Sequence, residues 1–438
     1  MLWHGPNFYM KYIDALQYIE EVTKIKGSVL GLDNIKELCR RIGNPQDSLR
    51  FVHIAGTNGK GSTLGFISTI LKESGYKTGR YISPTIRDYR ERFQVNGTMI
   101  SQSAFAGYIE LIKPVCEEMV AEGLPHPTAF EIETAIAFKY FADKKCDIVV
   151  LETGLGGIED ATNIITTTVL SVIVSISMDH MQFLGNTLTE IAEKKCGIIK
   201  PGVPVISTIQ KQEALEVIEA ASKEKNSGLT IIHKEDISRI KYGLTRQSFY
   251  IDKEKYEIAL AGVWQIENAA IAVRAAHILR DVCGYKKITE DKIKTGLHNT
   301  KWHARFQVLS KKPLFIIDGA HNDDAAKRLR ETIDTYFADK NKFYIMGMFR
   351  DKEVEKVVET ISVDGEMVLT CQAPNNPRAL SAVELAQIVS SVNPRVTCCD
   401  SVEEAVEFAT SMAGKEDVII ACGSLAYLGK IIDIFDIK

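Results

Sequence analysis

The feature that most constrains the fold is a glycine-rich segment directly after a mostly apolar run. Residues Leu49 to Ala55 fit a buried β-strand, the chain continues as Gly56-Thr-Asn-Gly-Lys-Gly-Ser62, and a helical pattern then extends to about Glu73. Glycines let backbone amides close around phosphate oxygens, and the N-terminus of the following helix adds the positive end of its dipole. This order predicts a phosphate-binding corner at the edge of an open α/β sheet.

Two side chains in this segment carry suitable chemistry. Lys60 can neutralise terminal phosphates, and the hydroxyl of Ser62 can help to hold a phosphate and its magnesium ion. The alternative is a glycine-rich turn with no ligand, but a lysine and a serine at these offsets favour nucleotide binding. The segment is not a strict Walker A motif, because Ile54 and Gly61 stand where that motif has glycine and Ser/Thr. The predicted phosphate contacts are Gly56, Thr57, Asn58, Gly59, Lys60, Gly61 and Ser62.

The rest of the chain alternates short apolar runs with amphipathic stretches, which is typical of α/β proteins with mainly parallel strands. Helices are predicted at Tyr9 to Val22, Leu32 to Arg41, Ala129 to Phe141 and Val263 to Cys283. Strands are predicted at Asp147 to Leu151 and Val169 to Ile176, and an antiparallel excursion at Ser227 to Ala261. The periodicity breaks at His298 to Arg305, so we expect two domains, 1–298 and 299–438, the second small and Rossmann-like.

The second domain has a regular strand and helix pattern. Strands are predicted at Leu314 to Ile317, Phe343 to Met346, Met367 to Thr370, Arg395 to Cys398 and Val418 to Ala421. Ser381 and Glu384, and likewise Ser401 and Glu404, have the spacing of a capping box, in which a hydroxyl and a carboxylate satisfy free amides at a helix start.

Composition excludes several classes of protein. The net charge of −4 comes without a dense basic cluster, so no nucleic-acid partner is expected. The nine cysteines are scattered without a Cys-x-x-Cys pair, which favours reduced thiols over disulfides or zinc. No run approaches the ~20 apolar residues of a membrane span, and the first residues do not resemble a signal peptide. We therefore expect a cytoplasmic monomer that acts on small molecules, without a membrane partner.

The order of motifs resembles the Mur ligase superfamily, whose members couple a carboxylate to an amine through an acyl phosphate. The phosphate loop has that family's spelling rather than the Walker spelling. Further segments are similar to the folylpolyglutamate synthase/dihydrofolate synthase family within it: Tyr81-Ile-Ser-Pro84, Leu151-Glu-Thr-Gly-Leu-Gly-Gly157, Asp179-His180, Ile191 to Lys200, Gln265-Ile-Glu-Asn268, Trp302-His-Ala-Arg305, Asp318-Gly-Ala-His-Asn322 and Gly423-Ser-Leu.

This resemblance implies a P-loop-containing N-terminal Mur-ligase-type ATPase domain with the Rossmann-like domain behind it. It implies transfer of L-glutamate to a folate-type carboxylate (dihydropteroate, reduced folates or both), with ATP and Mg²⁺ used and ADP and phosphate released. The resemblance also assigns roles within the first domain. Ser83, Glu152 and His180 would bind magnesium, and Lys195 would be carbamylated and reach a second magnesium. Without the resemblance, Lys195 between Lys194 and Lys200 would be taken for a solvated surface lysine.

The resemblance also gives Asn268 to adenine, and in the second domain it gives Arg305 to the phosphates and Asp318 and His321 to the nucleotide. Closure of the two domains would then assemble the site. The implied catalytic residues are Lys60, His180, Lys195, Arg305 and His321.

Four departures from the family pattern affect substrate choice: Ile158 replaces an arginine, Lys194 a glutamate, Trp264 a histidine, and His303-Ala304 a Pro-Gly pair. Muramyl peptide ligases are disfavoured, because the chain before Gly56 is shorter than the usual ~100-residue domain. The alternatives that stay open are an amide ligase of this superfamily with a non-folate acceptor, a P-loop NTPase switch, and a non-catalytic binding paralogue.

Overall fold

The apolar run before the glycine loop forms a central strand of a mainly parallel sheet. The computed structural model describes residues 10–26, 31–374 and 376–437. They divide into two compact units. The first takes the chain up to Ile176, His180–Lys234 and Ala270–Leu297, and the second takes Ser177–Asp179, Glu235–Ala269 and the chain from His298 onward. The predicted domain limits, 1–298 and 299–438, stay a prediction.

Eight strands of the first unit form one sheet, in the order β4-β3-β2-β5-β1-β6-β7-β8. Their bounds are β1 Phe51–Ala55, β2 Thr78–Tyr81, β3 Phe93–Val95, β4 Thr98–Met99, β5 Ile148–Glu152, β6 Thr168–Ile173, β7 Val205–Thr208 and β8 Leu229–Ile232. Strands β2, β5, β1, β6, β7 and β8 pair in parallel, each with the next in this order. Strand β3 pairs antiparallel with both β2 and β4. Every residue of β1 and β5 is buried, which explains why both were visible as apolar runs.

The helices of the first unit include three that were not predicted, Gln102–Ala121, Met181–Leu184 and Gln212–Glu224, while the others agree with the predictions in place and type. They are α1 Tyr12–Lys26, α2 Asp33–Arg41, α3 Lys60–Glu73, α4 Gln102–Ala121, α5 Ala129–Asp143, α6 Met181–Leu184, α7 Leu188–Cys196 and α8 Gln212–Glu224. The predicted start of the first helix at Tyr9 lies outside the described residues. No described helix is long and apolar enough to cross a membrane.

The predicted antiparallel excursion is confirmed in part. Strands β9 Ser238–Lys241, β10 Gln247–Ile251 and β11 Glu254–Ile258 form a three-stranded antiparallel sheet. The prediction is wrong for Leu229–Ile232, because α8 carries the chain back to the same end of the sheet and β8 therefore pairs parallel to β7. Helices α9 Gln265–Asp281 and α10 Glu290–Asn299 follow.

The second unit contains a six-stranded sheet in the order β12-β13-β17-β14-β15-β16. Its strands are β12 Gln307–Lys311, β13 Leu314–Ile317, β14 Lys342–Met346, β15 Gly365–Thr370, β16 Val396–Cys398 and β17 Val418–Cys422. All but β12 pair in parallel, so the five predicted strands are confirmed. The helices are α11 Asp323–Phe337, α12 Val354–Ile361, α13 Ala382–Ser390, α14 Val402–Met412 and α15 Leu425–Asp436.

The two predicted capping boxes have different outcomes. Ser381 and Glu384 form a complete one at the start of α13. Ser401 caps α14 by accepting a hydrogen bond from the Glu404 amide, but the Glu404 carboxylate accepts from the amide of Asp400 instead of Ser401. The second box is therefore only half formed.

Candidate active site

Four neighbouring parallel strands of the first unit, β2, β5, β1 and β6, end at the same edge of the sheet. Ser83 follows β2, Glu152 ends β5, the phosphate loop follows β1, and His180 lies beyond β6. Ligands of open α/β sheets bind outside the carboxyl ends of the strands. The fold therefore carries the predicted residues of the first domain to one edge, although they are far apart in the chain.

The phosphate loop has the backbone that its glycines predicted. Gly56 has φ +151°, and a Cβ there would lie 2.2 Å from Cγ2 of Val174, so no side chain fits. Gly59 adopts a left-handed conformation, φ 92°, immediately before α3 begins at Lys60. The Lys60 ammonium donates to the carbonyl oxygens of Gly56 and Thr57, at 3.2 Å each. Carbonyl oxygens at the start of the loop thus bind the lysine at its end.

Two hydroxyls at the start of α3 are buried without a hydrogen-bond partner, those of Ser62 and Thr63. A buried hydroxyl without a partner costs about 1–3 kcal/mol relative to one that is satisfied. Such a cost at the end of a glycine loop fits a ligand rich in oxygen, such as a phosphate with its cation. Thr63, which directly follows the predicted Ser62, was not predicted as a contact from the sequence.

Glu152 and Ser83 lie next to each other at this edge. The amide of Ser83 donates to Oε2 of Glu152 at 3.4 Å, and Oε1 of the same carboxylate lies 3.9 Å from Nζ of Lys60. Glu152 is only 5% exposed. A buried carboxylate at the same edge of the sheet as the unpaired hydroxyls of Ser62 and Thr63 offers oxygen donors, which are what magnesium prefers.

Lys195 is not a surface lysine. Its side chain is 4% exposed, and Nζ donates to the carbonyl oxygen of Gly56 at 2.9 Å. Lys195 lies on the short helix α7, which begins with Thr187 and Glu190 in a complete capping box. Gly157 lets α7 approach, because a Cβ there would lie 2.6 Å from the carbonyl oxygen of Lys194 and 2.8 Å from that of Lys195. The Gly-Gly signature and Lys195 are therefore parts of one arrangement.

His180 has a different setting. Its backbone is left-handed, φ 51°, at the cap of α6, and its side chain is exposed. Within the described ranges, no three His, Cys, Asp or Glu side chains are grouped as a metal site. The predicted ligand set contains only Glu152 and His180 of these types, so hydroxyl, carbamate or phosphate oxygens would have to complete it.

In the second unit, Asp318 is a buried carboxylate at the end of β13. It accepts hydrogen bonds from the amides of Phe306, at 2.8 Å, and Ala320, at 2.9 Å. Burial raises the pKa of Asp318, while the nearby guanidinium of Arg305 acts in the opposite direction. Arg305 also donates to the carbonyl oxygen of Ala304 at 3.0 Å. Asp318 therefore fixes the backbone just before β12 and just after β13, and it lies close to the positive charge of Arg305.

His321 is held in one orientation by a backbone contact. Its Nδ1 lies 2.8 Å from the carbonyl oxygen of Gly319, so Nδ1 carries the proton and donates. Burial and the cation of Lys352 lower the pKa of His321 to about 4, against the opposing effect of Asp179. His321 is therefore neutral at pH 7, and Nε2 presents a lone pair.

Asp179, which the sequence marked only as part of a motif, is a centre of contacts in the second unit. It accepts hydrogen bonds from Nζ of Lys352 at 2.8 Å and Nδ2 of Asn322 at 3.2 Å. Nε2 of His321 lies 3.9 Å away. The role of Lys352 was missed, because a lone lysine after a strand gives no signal in the sequence.

The predicted adenine-contacting residue, Asn268, is buried on α9. Its Nδ2 donates to Oε1 of Gln265 at 3.2 Å, and Nε2 of Gln265 is buried without a partner. Trp264, one of the departures from the family pattern, is also buried and lies under the guanidinium of Arg328, 6.0 Å from the ring centroid. Nε2 of Gln265, beside Asn268, is thus an unpaired buried donor at the start of α9.

Two other departures lie together beside α7. Ile158 is 42% exposed, and its amide donates to the carbonyl oxygen of Lys194 at 2.8 Å. The ammonium of Lys194 pairs with Glu159 at 3.0 Å. The charge reversal at position 194 is therefore matched by a carboxylate in the glycine-rich loop, and Ile158 leaves an apolar side chain at the surface.

Two family models place the chain in the class of Mur ligases. The Mur ligase middle domain matches residues 54–276, and the "Mur ligase, glutamate ligase domain" matches residues 304–425. The Bacillus subtilis dihydrofolate synthase/folylpolyglutamate synthase is 33% identical, over 96% of this chain and 98% of its own length. The Lacticaseibacillus casei folylpolyglutamate synthase is 31% identical, over 85% of this chain and 87% of its own length.

Solved structures of folylpolyglutamate synthases are also similar to this chain. The Thermotoga maritima folylpolyglutamate synthase has a TM-score of 0.82 and 30% identity, covering 97% of this chain and 96% of that one. The Escherichia coli FolC in complex with DHPP and ADP has a TM-score of 0.84 and 27% identity, covering 99% of both chains. The chain belongs to the folylpolyglutamate synthase/dihydrofolate synthase family.

Proposed function

We propose that the protein is an ATP-dependent ligase that adds L-glutamate to a folate-type carboxylate through an acyl phosphate and releases ADP and phosphate. The observation that carries this proposal is the phosphate corner, where the unsatisfied hydroxyls of Ser62 and Thr63 lie at the start of the helix that Lys60 begins. Near full-length relatives with this activity in their names, and a relative in complex with DHPP and ADP, support it.

The first step transfers the γ-phosphoryl group of ATP to the acceptor carboxylate. Loop amides of residues 56–62 and Lys60 hold the phosphates and balance the charge that develops during transfer. Ser83, Glu152 and His180 would hold magnesium, which supplies positive charge to the phosphate oxygens. The second step is attack of the glutamate amine on the acyl phosphate, which forms the amide and releases phosphate.

Lys195 has a proposed role as a carbamate. Carbon dioxide adds to the neutral amine, so that an N–C bond forms, a proton leaves, and Nζ becomes part of an anion. The burial of Lys195 and its distance of 2.9 Å to the phosphate-loop carbonyl of Gly56 support this role. A desolvated amine loses its proton more readily than an exposed one, and a cation would then stabilise the carbamate.

The second unit would contribute to the same reaction. Arg305 is proposed to balance charge on the transferred phosphoryl group, Asn268 to contact adenine, and Asp318 and His321 to contact the nucleotide. Asp318 supports Arg305 electrostatically, and the neutral His321 offers Nε2 as an acceptor. Use of magnesium, a monomeric state and a cytoplasmic location belong to the same proposal.

The test is ADP release measured with a panel of acceptors, namely dihydropteroate, reduced folates and pterin-free carboxylates, each with and without L-glutamate. We expect ADP only when a folate-type carboxylate and L-glutamate are both present, and a product whose mass is that of the amide. Turnover that is independent of glutamate, or AMP as product, would contradict the ligase mechanism. Hydrolysis without acceptor would favour an NTPase switch, and nucleotide binding without turnover a binding paralogue.

An acceptor other than a folate is a second candidate, favoured by the exposed Ile158 where the family usually has an arginine. Turnover with a pterin-free carboxylate but not with pterins would support it.

A further inference from the structure

The loop that carries Ser83 is closed on itself by a carboxylate. It runs from the end of β2 to the turn at Tyr89–Arg92, where the chain returns as β3. Glu91 in that turn accepts hydrogen bonds from the amides of Ile86, at 2.8 Å, and Arg87, at 3.1 Å. It also accepts a third hydrogen bond, from the amide of Asp88 at 3.2 Å. Together these bonds fix an irregular segment, because each satisfies a backbone donor that would otherwise bond to water.

A second carboxylate, Glu133, ties this loop to α5. Oε1 of Glu133 accepts a hydrogen bond from the hydroxyl of Tyr89, and Oε2 lies 3.3 Å from Nη1 of Arg92. Glu133 is only 4% exposed. The guanidinium of Arg92 also lies over the ring of Tyr89, 5.2 Å from its centroid. Glu133, Tyr89 and Arg92 are called the loop anchor below.

The loop anchor is not a surface ion pair. The side chains of Arg92 and Glu133 are 16% and 6% exposed, and Glu133 is the carboxylate paired with this guanidinium. The Nε atom of Arg92 is buried without a hydrogen-bond partner. Removing one partner from a buried pair leaves the other charge uncompensated, which is far more disruptive than losing an exposed pair.

The anchored loop leads directly to the candidate metal residues. At its start, the amide of Ser83 donates to Oε2 of Glu152. At its end, the carbonyl oxygen of Arg92 accepts from the amide of Ile82, so both ends of the loop are joined. A shift of the turn at Tyr89–Arg92 would therefore also move Ser83, because the hydrogen bond between Arg92 and Ile82 joins the turn to the residue before Ser83.

We infer that Glu133 is a positioning residue for the magnesium site: through Tyr89 and Arg92 it holds the loop that presents Ser83 beside Glu152. It does not contact the substrates. The inference rests on the proposed function, because it takes Ser83 and Glu152 as ligands of the metal that accompanies ATP. Residues that orient metal ligands are known to act on metal affinity without touching the ion.

The test measures binding of Mn²⁺, a spectroscopically visible substitute for Mg²⁺, to the full chain with a non-hydrolysable ATP analogue. Glu133→Gln removes the charge that balances Arg92 but keeps the shape. We expect its Mn²⁺ dissociation constant to rise about 10-fold. The affinity for ADP without metal should stay within about twofold of the unmodified protein, because the phosphate loop is unchanged. Asp143→Asn, at the partly exposed end of the same helix where Asp143 pairs with Lys139 and accepts from the hydroxyl of Tyr108, is the matched control and should change neither quantity.

Tyr89→Phe is a second, milder variant, needed in case Glu133→Gln fails to fold. It removes one hydrogen bond of the loop anchor and leaves the ion pair between Glu133 and Arg92. It should weaken Mn²⁺ binding by a smaller factor. If Glu133→Gln and Tyr89→Phe melt at lower temperature but bind Mn²⁺ as tightly as the unmodified protein, Glu133 is merely structural and the inference is overturned. If the unmodified protein shows no nucleotide-dependent Mn²⁺ binding, the proposed function falls and this inference with it.

Discussion

Replacing Gly157 with alanine should disable the enzyme while leaving it folded. The added Cβ would lie 2.6 Å and 2.8 Å from two carbonyl oxygens near the end of α7, those of Lys194 and Lys195. Both contacts are to backbone, so a rotamer change cannot relieve them. Either the glycine-rich loop or the end of α7 must move by several tenths of an ångström.

The two consequences of that movement have different sizes. Overpacking of this kind costs about 1–3 kcal/mol of unfolding free energy, which lowers the melting temperature by only a few degrees in a chain of this length. A displacement approaching 1 Å at a catalytic group costs about 100-fold in rate. Since Lys195 lies on the displaced segment, we expect kcat for ADP formation at saturating substrates to fall by about 100-fold, with a modest change in melting temperature.

The matched control is Gly228→Ala. A Cβ at Gly228 would meet nothing within 4 Å. The control variant should therefore keep the activity and melting temperature of the unmodified protein. A Gly157→Ala enzyme with kcat within about twofold of that value would refute the reasoning that close approach of the loop positions Lys195.

Three further predictions use other parts of the structure. Arg305→Ala should lower kcat by about 100-fold or more with little change in the KM for ATP, in steady-state assays. Lys195→Ala should be nearly inactive and partly rescued by acetate, and the native mass of the unmodified protein in bicarbonate buffer should include a carbon dioxide adduct. Burial lowers the pKa of His53 to about 3, so the unfolded chain binds its proton first as the pH falls. Stability should therefore be lost between pH ~6.5 and ~3, and His53→Gln should flatten the dependence of unfolding free energy on pH in that window.

Each of these has a contrary result. Unchanged kcat in Arg305→Ala would remove the second unit from the chemistry. Near-normal activity of Lys195→Ala would exclude the carbamate. A His53→Gln protein whose pH dependence equals that of the unmodified chain would show that other groups govern acid unfolding, although Nε2 of His53 bonds the buried hydroxyl of Thr162 at 2.9 Å.

The sequence missed β7, which is fully buried but ends in Ser207 and Thr208. It predicted other strands that are buried on both faces, because those strands are mostly apolar. β1 and β5 are of this kind, and the residues just past them were found with them. Strands β2 and β4 were missed, since Thr78–Tyr81 contains a glycine and an arginine and Thr98–Met99 is exposed. What lies at the end of a missed strand could be found only by family resemblance, as Ser83 was.

Long-range contacts were the second limit. Beside Lys194, the ordinary expectation for Lys195 is exposure, and only its contact with the carbonyl oxygen of Gly56 shows otherwise. Glu133 lies among buried residues of α5, and the residues adjacent to it in sequence do not indicate that Tyr89 and Arg92 are its partners. Such pairings depend on how distant elements pack, which local periodicity does not encode.

The order of strands also has a consequence for synthesis of the protein. The strand before the phosphate loop ends at Ala55, but its two neighbours in the sheet begin only at Ile148 and Thr168. During translation, the apolar segment Phe51–Ala55 must therefore leave the ribosome long before either hydrogen-bonding partner exists. Parallel pairing over such separations is slow, because loop closure precedes the contacts that stabilise it. The strand that carries the phosphate loop thus stays unpaired and apolar during much of synthesis, which exposes it to aggregation, and the phosphate corner is completed only after β5 and β6 have paired with β1.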